Sequence, residues 1–223
     1  MEYITIIPAR GGSKRFPGKN LYEFMGKPLI AHSIEYSMTC PSVHHTYVST
    51  DDEKIKQVSL QFGAEVIDRP TELGSDYATS ADVMKNAVEQ MIAKGVDFDY
   101  VLLLQATNPL RPVNLLTDAI KIIEETKVDS LMSVNRCELK LGRIIKNHFQ
   151  PWNYYYGQRS QDLDPLYYEN GLLYISSKDL LLQGRIMSEN MYPMVVDHIF
   201  GEVDIDTIED LEYAEFIAKR YAG

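Results

Sequence analysis

The sequence predicts an α/β fold built on a mostly parallel, helix-flanked sheet. Three observations predict it. Short apolar, β-rich runs alternate with segments of helical period; the first run feeds a loop rich in glycine and basic residues; and the alternation breaks once in the second half before resuming.

Residues 3–7 form the first run, which stops at Pro8 and gives way to Ala9-Arg10-Gly11-Gly12-Ser13-Lys14-Arg15, as a buried strand feeding a polar loop would. Further strands are expected over residues 46–49, 64–67, 100–104 and 130–134. Helices are expected between them, over residues 30–38, 52–62, 80–94 and 113–125. After Asn135 the rhythm breaks. Residues 141–149 read as a strand pair or hairpin, followed by the aromatic tract Trp152-Asn153-Tyr154-Tyr155-Tyr156, so an inserted segment of about residues 136–170 is expected. The pattern resumes with a strand over residues 171–176, a short helix over 178–182 and a closing helix over 207–221. No internal repeat or low-complexity linker interrupts it, and residues 1–223 read as one domain.

Composition narrows the function. The 223 residues are 45% hydrophobic and 24% charged, as in an ordinary globular protein, and their net charge of -10 disfavours a broad contact with nucleic acid or an anionic membrane. Cys40 and Cys137 give neither a disulfide framework nor a zinc motif. No run approaches the roughly 18 apolar residues of a spanning helix, and the first residues do not read as a signal peptide, so a cytoplasmic location is expected.

Ligands of open α/β sheets bind outside the carboxyl ends of strands, which directs attention to the loop after the first run. Arg10, Lys14, Arg15 and Lys19 place four cations within ten residues, while Gly11, Gly12 and Gly18 let the backbone approach a ligand and present N–H groups. That combination suits a polyphosphate. A solvated basic loop with turn glycines is the bland alternative. Neither Gly-x-x-x-x-Gly-Lys-Ser/Thr nor Gly-x-Gly-x-x-Gly is present, which removes support for a P-loop ATPase or a dehydrogenase.

The stretch Ile7-Pro8-Ala9-Arg10-Gly11-Gly12-Ser13-Lys14-Arg15-Phe16-Pro17-Gly18-Lys19-Asn20 resembles the signature of the acylneuraminate cytidylyltransferases, which include enzymes for legionaminic and pseudaminic acids. The resemblance implies a Rossmann-like nucleotidyltransferase fold. It also implies that Arg10, Ser13 and Lys14 contact a triphosphate, that Lys19 supports transition-state charge and that Asn20 binds the nucleotide. Arg69-Pro70-Thr71-Glu72-Leu73, with Ser75 to Ser80 after it, is similar to the family's cytosine-reading stretch, and Arg69, Ala78 and Ser80 are the matching positions. Ser80 is equally placed to cap the helix that follows it.

Gln105-Ala106-Thr107-Asn108-Pro109-Leu110-Arg111, at the carboxyl end of an apolar run, resembles the family's Gln-Pro-Thr-Ser-Pro-Leu-Arg and implies sugar contacts at Gln105, Thr107 and Arg111. Ala106 and Asn108 depart from that pattern, an amide standing where a hydroxyl is expected. Arg159, Gln161, Tyr168 and Asn170 match the family's Arg-x-Gln and Asn-Gly stretch near the acidic sugar. Arg159 is the candidate for the sugar carboxylate, through two parallel hydrogen bonds, or else a surface partner of Asp162 or Asp164.

Asp204 and Asp206 stand two residues apart before the last helix. Such oxygens suit a hard cation, although Asp206 could instead cap that helix. The resemblance makes the pair the metal site, for magnesium or a substituting manganese. It also implies a homodimer in which the inserted segment closes the neighbour's sugar pocket. His32, His44, His45, His148 and His198 show no ligand spacing and read as structural or surface residues.

The implied reaction is attack by the anomeric hydroxyl of a nonulosonic acid, an acidic 2-keto sugar, on the α-phosphorus of CTP, with Lys19, Arg10 and Asp206 as catalytic residues. Two rivals stand beside it: a 3-deoxy-manno-octulosonate cytidylyltransferase of the same fold, and a GT-A glycosyltransferase using Asp204 and Asp206. A non-catalytic nucleotide-binding regulator is a third, from another class.

Overall fold

The computed structural model describes residues 1–75 and 77–221. Asp76, within the expected cytosine-reading stretch, lies outside the described residues. The chain runs β1 (Tyr3–Pro8), a two-stranded ribbon of β2 (Glu23–Phe24) and β3 (Lys27–Pro28), α1 (Leu29–Met38), β4 (Val43–Thr50), α2 (Glu53–Gln61), β5 (Glu65–Asp68) and α3 (Ser80–Ala93). It continues through β6 (Tyr100–Leu103), α4 (Leu115–Thr126), β7 (Ser130–Cys137), β8 (Gly142–Ile145), β9 (His148–Pro151), β10 (Leu166–Ser177), α5 (Lys178–Leu182), β11 (Tyr192–Val195) and α6 (Ile208–Tyr221).

Seven strands form one sheet in the order β11-β7-β10-β6-β1-β4-β5. β10 runs antiparallel to both its neighbours, and the other pairings are parallel. The alternation of β1 explains the layering. Tyr3 and Ile7 face a core shared with α1 and α4, while Ile4 and Ile6 face the opposite core, where Met84, Val88 and Met91 of α3 and Leu181 of α5 pack. Each such side chain, fully buried, contributes about 1.5–3 kcal/mol before the entropy of ordering is counted. A third cluster joins Leu211, Ala214 and Ile217 of α6 to Phe16, Leu29 and Phe200, so the last helix packs beside the loop that follows β1.

Local chemistry fixes the element starts. Asp52 caps α2, accepting from the backbone N–H groups of Lys54 at 2.8 Å and Ile55 at 2.9 Å. Thr79, not Ser80, caps α3 in a reciprocal box with Asp82, each side chain accepting from the other's backbone N–H at 3.1 Å. At α6 the carboxylate of Asp210 accepts from Thr207 N–H at 2.8 Å and the Thr207 hydroxyl takes Asp210 N–H at 3.3 Å. The capping expected of Ser80 and Asp206 is thus done by their neighbours, and both side chains are left for other work.

The expected hairpin is present as β8 and β9, turning through Lys146 and Asn147 with φ of 49° and 66°, the double left-handed turn that suits strand twist. The expected insertion is narrower in structure than in sequence. Arg136 and Cys137 remain in β7 and residues 166–170 remain in β10, so both ends of the segment belong to the central sheet. β11 was not expected. It is only four residues long, carries Pro193 and lies at the sheet edge, where proline costs no ladder bond on the open side.

Candidate functional site

The carboxyl ends of β1, β4 and β6 face one side of the sheet, and most of the side chains expected to act gather there. After β1 the loop is held by its neighbours. Ala9 N–H donates to Ser49 O at 2.9 Å, Gly11 N–H donates to Asp51 Oδ1 at 3.1 Å, and Asn20 Nδ2 donates to Arg10 O at 3.0 Å. Gly11 is required by close approach, since a Cβ there would lie 2.5 Å from the Asp52 carboxylate. Gly18 meets a conformational demand, with φ of 72° as the chain enters the turn that buries Lys19 and Asn20.

Behind this loop opens a cleft of about 620 Å³. It is lined by Arg10, Ser13, Lys14, Arg15, Lys19 and Asn20 of the loop, by Arg69, Ala78 and Ser80, by Gln105 and Thr107, and by Asp206. Every residue expected at the nucleotide therefore faces one space. Arg69 is buried, and its Nη2 donates to Ser49 O at 2.6 Å, a bond that aims the guanidinium and tethers it; burial holds its pKa below the ordinary arginine value.

A larger cleft of about 1380 Å³ adjoins the first, and Gln105 lines both. Its walls include Asn135, Tyr168, Glu169, Asn170, His198 and Asp204. Buried Asn170 is locked: its Oδ1 accepts from the Ser133 hydroxyl at 2.6 Å and from Leu172 N–H at 3.1 Å, and its Nδ2 donates to Asn135 Oδ1 at 2.8 Å. Gly171 follows with φ of 73°, and a Cβ on it would meet Asn108 Oδ1 at 2.9 Å. Asn108, the departure from the expected hydroxyl, is fully buried. Its amide donates to Val203 O at 2.7 Å and Asn170 O at 3.4 Å, tying the turn after β6 to the segment that carries the two aspartates.

Asp204 opens to the larger cleft and Asp206 to the smaller. Asp204 is accessible from the cleft yet surrounded by protein, and desolvation raises its carboxyl above the ordinary value, against the Thr107 hydroxyl bond that lowers it. Asp206 binds two cations: Lys19 Nζ at 2.7 Å on Oδ1 and Arg15 Nη2 at 2.5 Å on Oδ2. Among the described residues no group of three or more His, Cys, Asp or Glu is clustered to hold a metal alone.

Three expected sugar-binding residues are not brought to the site. Arg111 is the plainest correction. It lines neither cleft; its Nε donates to Leu172 O at 2.9 Å, one Nη to Ser33 Oγ at 3.0 Å and the other to Gln105 O at 2.8 Å, with Tyr36 beneath it. Burial pushes its guanidinium down to about 10, and its effect on the site is indirect, through the backbone that carries Gln105. Arg159 and Gln161 are exposed and outside both clefts, and Arg159 grips Asp162 at 2.8 and 3.1 Å, the surface pairing that stood as its alternative. Thr107 faces the smaller cleft, not the larger. Asp51, Asn135 and the role of Asn108 escaped the sequence reading, since an acidic or amide residue at a strand end signals a turn as readily as a clamp.

A sequence profile described as cytidylyltransferase matches residues 4–221. The chain belongs to the cytidylyltransferase family. This cytidylyltransferase is a nucleotidyltransferase, and it is 35% identical to the pseudaminic acid cytidylyltransferase of Campylobacter jejuni, over 98% of this chain and 97% of that one. It is 34% identical to the CMP-N,N'-diacetyllegionaminic acid synthase of Legionella pneumophila, over 96% and 95%. Against the N-acylneuraminate cytidylyltransferase of Streptococcus agalactiae the identity is 33% over 94% of this chain, which spans 52% of that longer protein. Among solved structures, CMP:2-keto-3-deoxy-manno-octonic acid synthetase complexed with CTP superposes with a TM-score of 0.73 at 20% identity, covering 99% of each chain, a likeness of fold.

Proposed function

We propose that this cytidylyltransferase moves CMP from CTP to the anomeric hydroxyl of a nonulosonic acid of the sialic, legionaminic or pseudaminic kind, releasing pyrophosphate. The observation that carries the reading is the meeting of two clefts at Gln105, one lined by loop cations and a second, larger one beside Asp204. The names of the relatives support the acceptor class, and for that reason the octulosonate reading is not favoured.

In the reaction, a bond forms between the anomeric oxygen and the α-phosphorus of CTP, the bond to pyrophosphate breaks, and the hydroxyl proton is released. Negative charge builds on the departing pyrophosphate. Arg10, Lys14 and Lys19 face that charge, Ser13 donates to it, and Asn20 holds the loop through the Arg10 carbonyl. Arg69, Ala78 and Ser80 flank the nucleotide's far end, while Gln105, Tyr168 and Asn170 orient the acceptor.

The donor chemistry of Asp204 and Asp206 fits a magnesium ion, which takes one or two carboxylates and fills its remaining positions with phosphate oxygens and water. Bound there, the ion would neutralise phosphate charge. Arg159, Gln161 and the exposed apolar surface of the hairpin and aromatic tract, with Ile144, Phe149, Trp152, Tyr155 and Tyr156 all at least 47% exposed, support a homodimer in which residues 138–165 serve the neighbour's cleft. No helix of the described residues is long and apolar enough to cross a membrane, and the reaction is assigned to the cytoplasm.

The test is pyrophosphate release from CTP across a panel of nonulosonic acids, with 3-deoxy-octulosonate included. Release with at least one nine-carbon acid is expected. Release with the eight-carbon acid alone, or cleavage of a preformed sugar nucleotide without use of CTP, would overturn the assignment.

A further inference from the structure

Arg15 lines the smaller cleft with the other loop cations, but its guanidinium is turned to Asp206 Oδ2 while Lys19 holds Oδ1. Both oxygens of the carboxylate best placed to meet a divalent ion at the nucleotide thus carry a cationic donor. The two cations are not equivalent. The Lys19 side chain is 11% exposed and fixed by the turn that buries it, whereas that of Arg15 is 71% exposed on a long flexible stem. An exposed pair of this kind is weak and exchanges at little cost. A polyphosphate offers the same guanidinium several charged oxygens in the fork geometry it prefers, and a divalent ion approaching Asp206 would be repelled by Arg15 for as long as it stayed.

We infer that Arg15 is a polyphosphate-binding residue parked on Asp206 until a nucleoside triphosphate arrives, so that one side chain couples nucleotide binding to the access of a divalent ion to that carboxylate. The inference rests on the nucleotide reading of the smaller cleft. Arg15 leaves Asp206 for the phosphates, the carboxylate is uncovered as the ion's second charge enters, and Lys19 remains between them. Reciprocity follows: whatever favours Arg15 on the phosphates favours the ion on Asp206.

Calorimetric titration of CTP into the wild type, Arg15→Ala, Asp206→Asn and the double variant, all in EDTA, tests it without reference to turnover. Arg15→Ala is expected to weaken CTP binding about threefold in the wild type and about tenfold in the Asp206→Asn background, where the carboxylate no longer competes for the guanidinium. Manganese titrated into the nucleotide-free protein is expected to bind several-fold more tightly to Arg15→Ala, a gain that loss of a merely structural contact would not produce. An Arg15→Ala variant with unchanged CTP affinity in both backgrounds, an equal loss in both, or unchanged manganese affinity overturns the inference. A wild type that binds no CTP even with magnesium present overturns the nucleotide reading itself.

Discussion

Lys19 Nζ and Asp206 Oδ1 stand 2.7 Å apart across 187 residues of sequence, joining the loop after β1 to the segment before α6. This contact closes the site. It places the most buried loop cation against the carboxylate that borders the smaller cleft, and α6 holds the arrangement by packing on Phe16 and Leu29.

For Lys19→Ala, turnover is expected to fall about 10²- to 10³-fold, because charge stabilisation at the leaving group acts mainly in the transition state. CTP affinity should weaken far less. Steady-state kinetics beside calorimetric CTP binding separates the two, and equal losses in both would remove Lys19 from the transition state.

Asp206→Asn should abolish magnesium-dependent activity while leaving the fold intact, because Thr207 and Asp210 cap α6 without the Asp206 side chain. Circular dichroism and activity against magnesium concentration read the two halves. Full activity at ordinary magnesium levels would sink the metal assignment.

Asn108→Ala removes the donor to the Val203 carbonyl at a fully buried position and leaves that oxygen without this partner. A loss of about 1–3 kcal/mol in urea denaturation is expected. KM for the acceptor should rise with it, since the same amide ties down the turn beside Asn170. A variant as stable as the wild type would show that water replaces the amide.

His32 is expected to make stability depend on pH. Desolvation holds its imidazole below the ordinary value, partly offset by the Phe24 carbonyl, 2.8 Å from Nε2. The unfolded chain therefore takes up the proton first as pH falls, so this contribution is complete above about pH 6.5 and is lost as pH drops toward the folded-state value. Melting temperatures between about pH 7.5 and 5 should fall less steeply for His32→Gln; identical slopes would assign the effect elsewhere.

Much of this was legible in the sequence because it depends on nearest neighbours. Alternation in β1, the helical periods, the glycine-spaced cations and the Asp204/Asp206 pair are local patterns, and each lies where expected along the chain. Arg111 misled because an arginine reads as a ligand for an anion whether its donors meet a substrate or the backbone of its own core. Asn108 was hidden in the opposite way. Its amide is explained only by the carbonyls of residues 170 and 203, which lie 62 and 95 residues away along the chain.

By itself the sequence determined the layered fold, the cationic glycine-spaced loop after β1 and the residue types that line both clefts, since periodicity, glycine placement and charge spacing are written along the chain. The tertiary structure alone decided which of those side chains meet. Gln105 at the junction of two clefts, Arg15 and Lys19 on one carboxylate, and Arg111 consumed by the core all arise from contacts between segments distant in sequence. Such contacts are fixed by packing and by the need to satisfy buried donors, which no local pattern encodes.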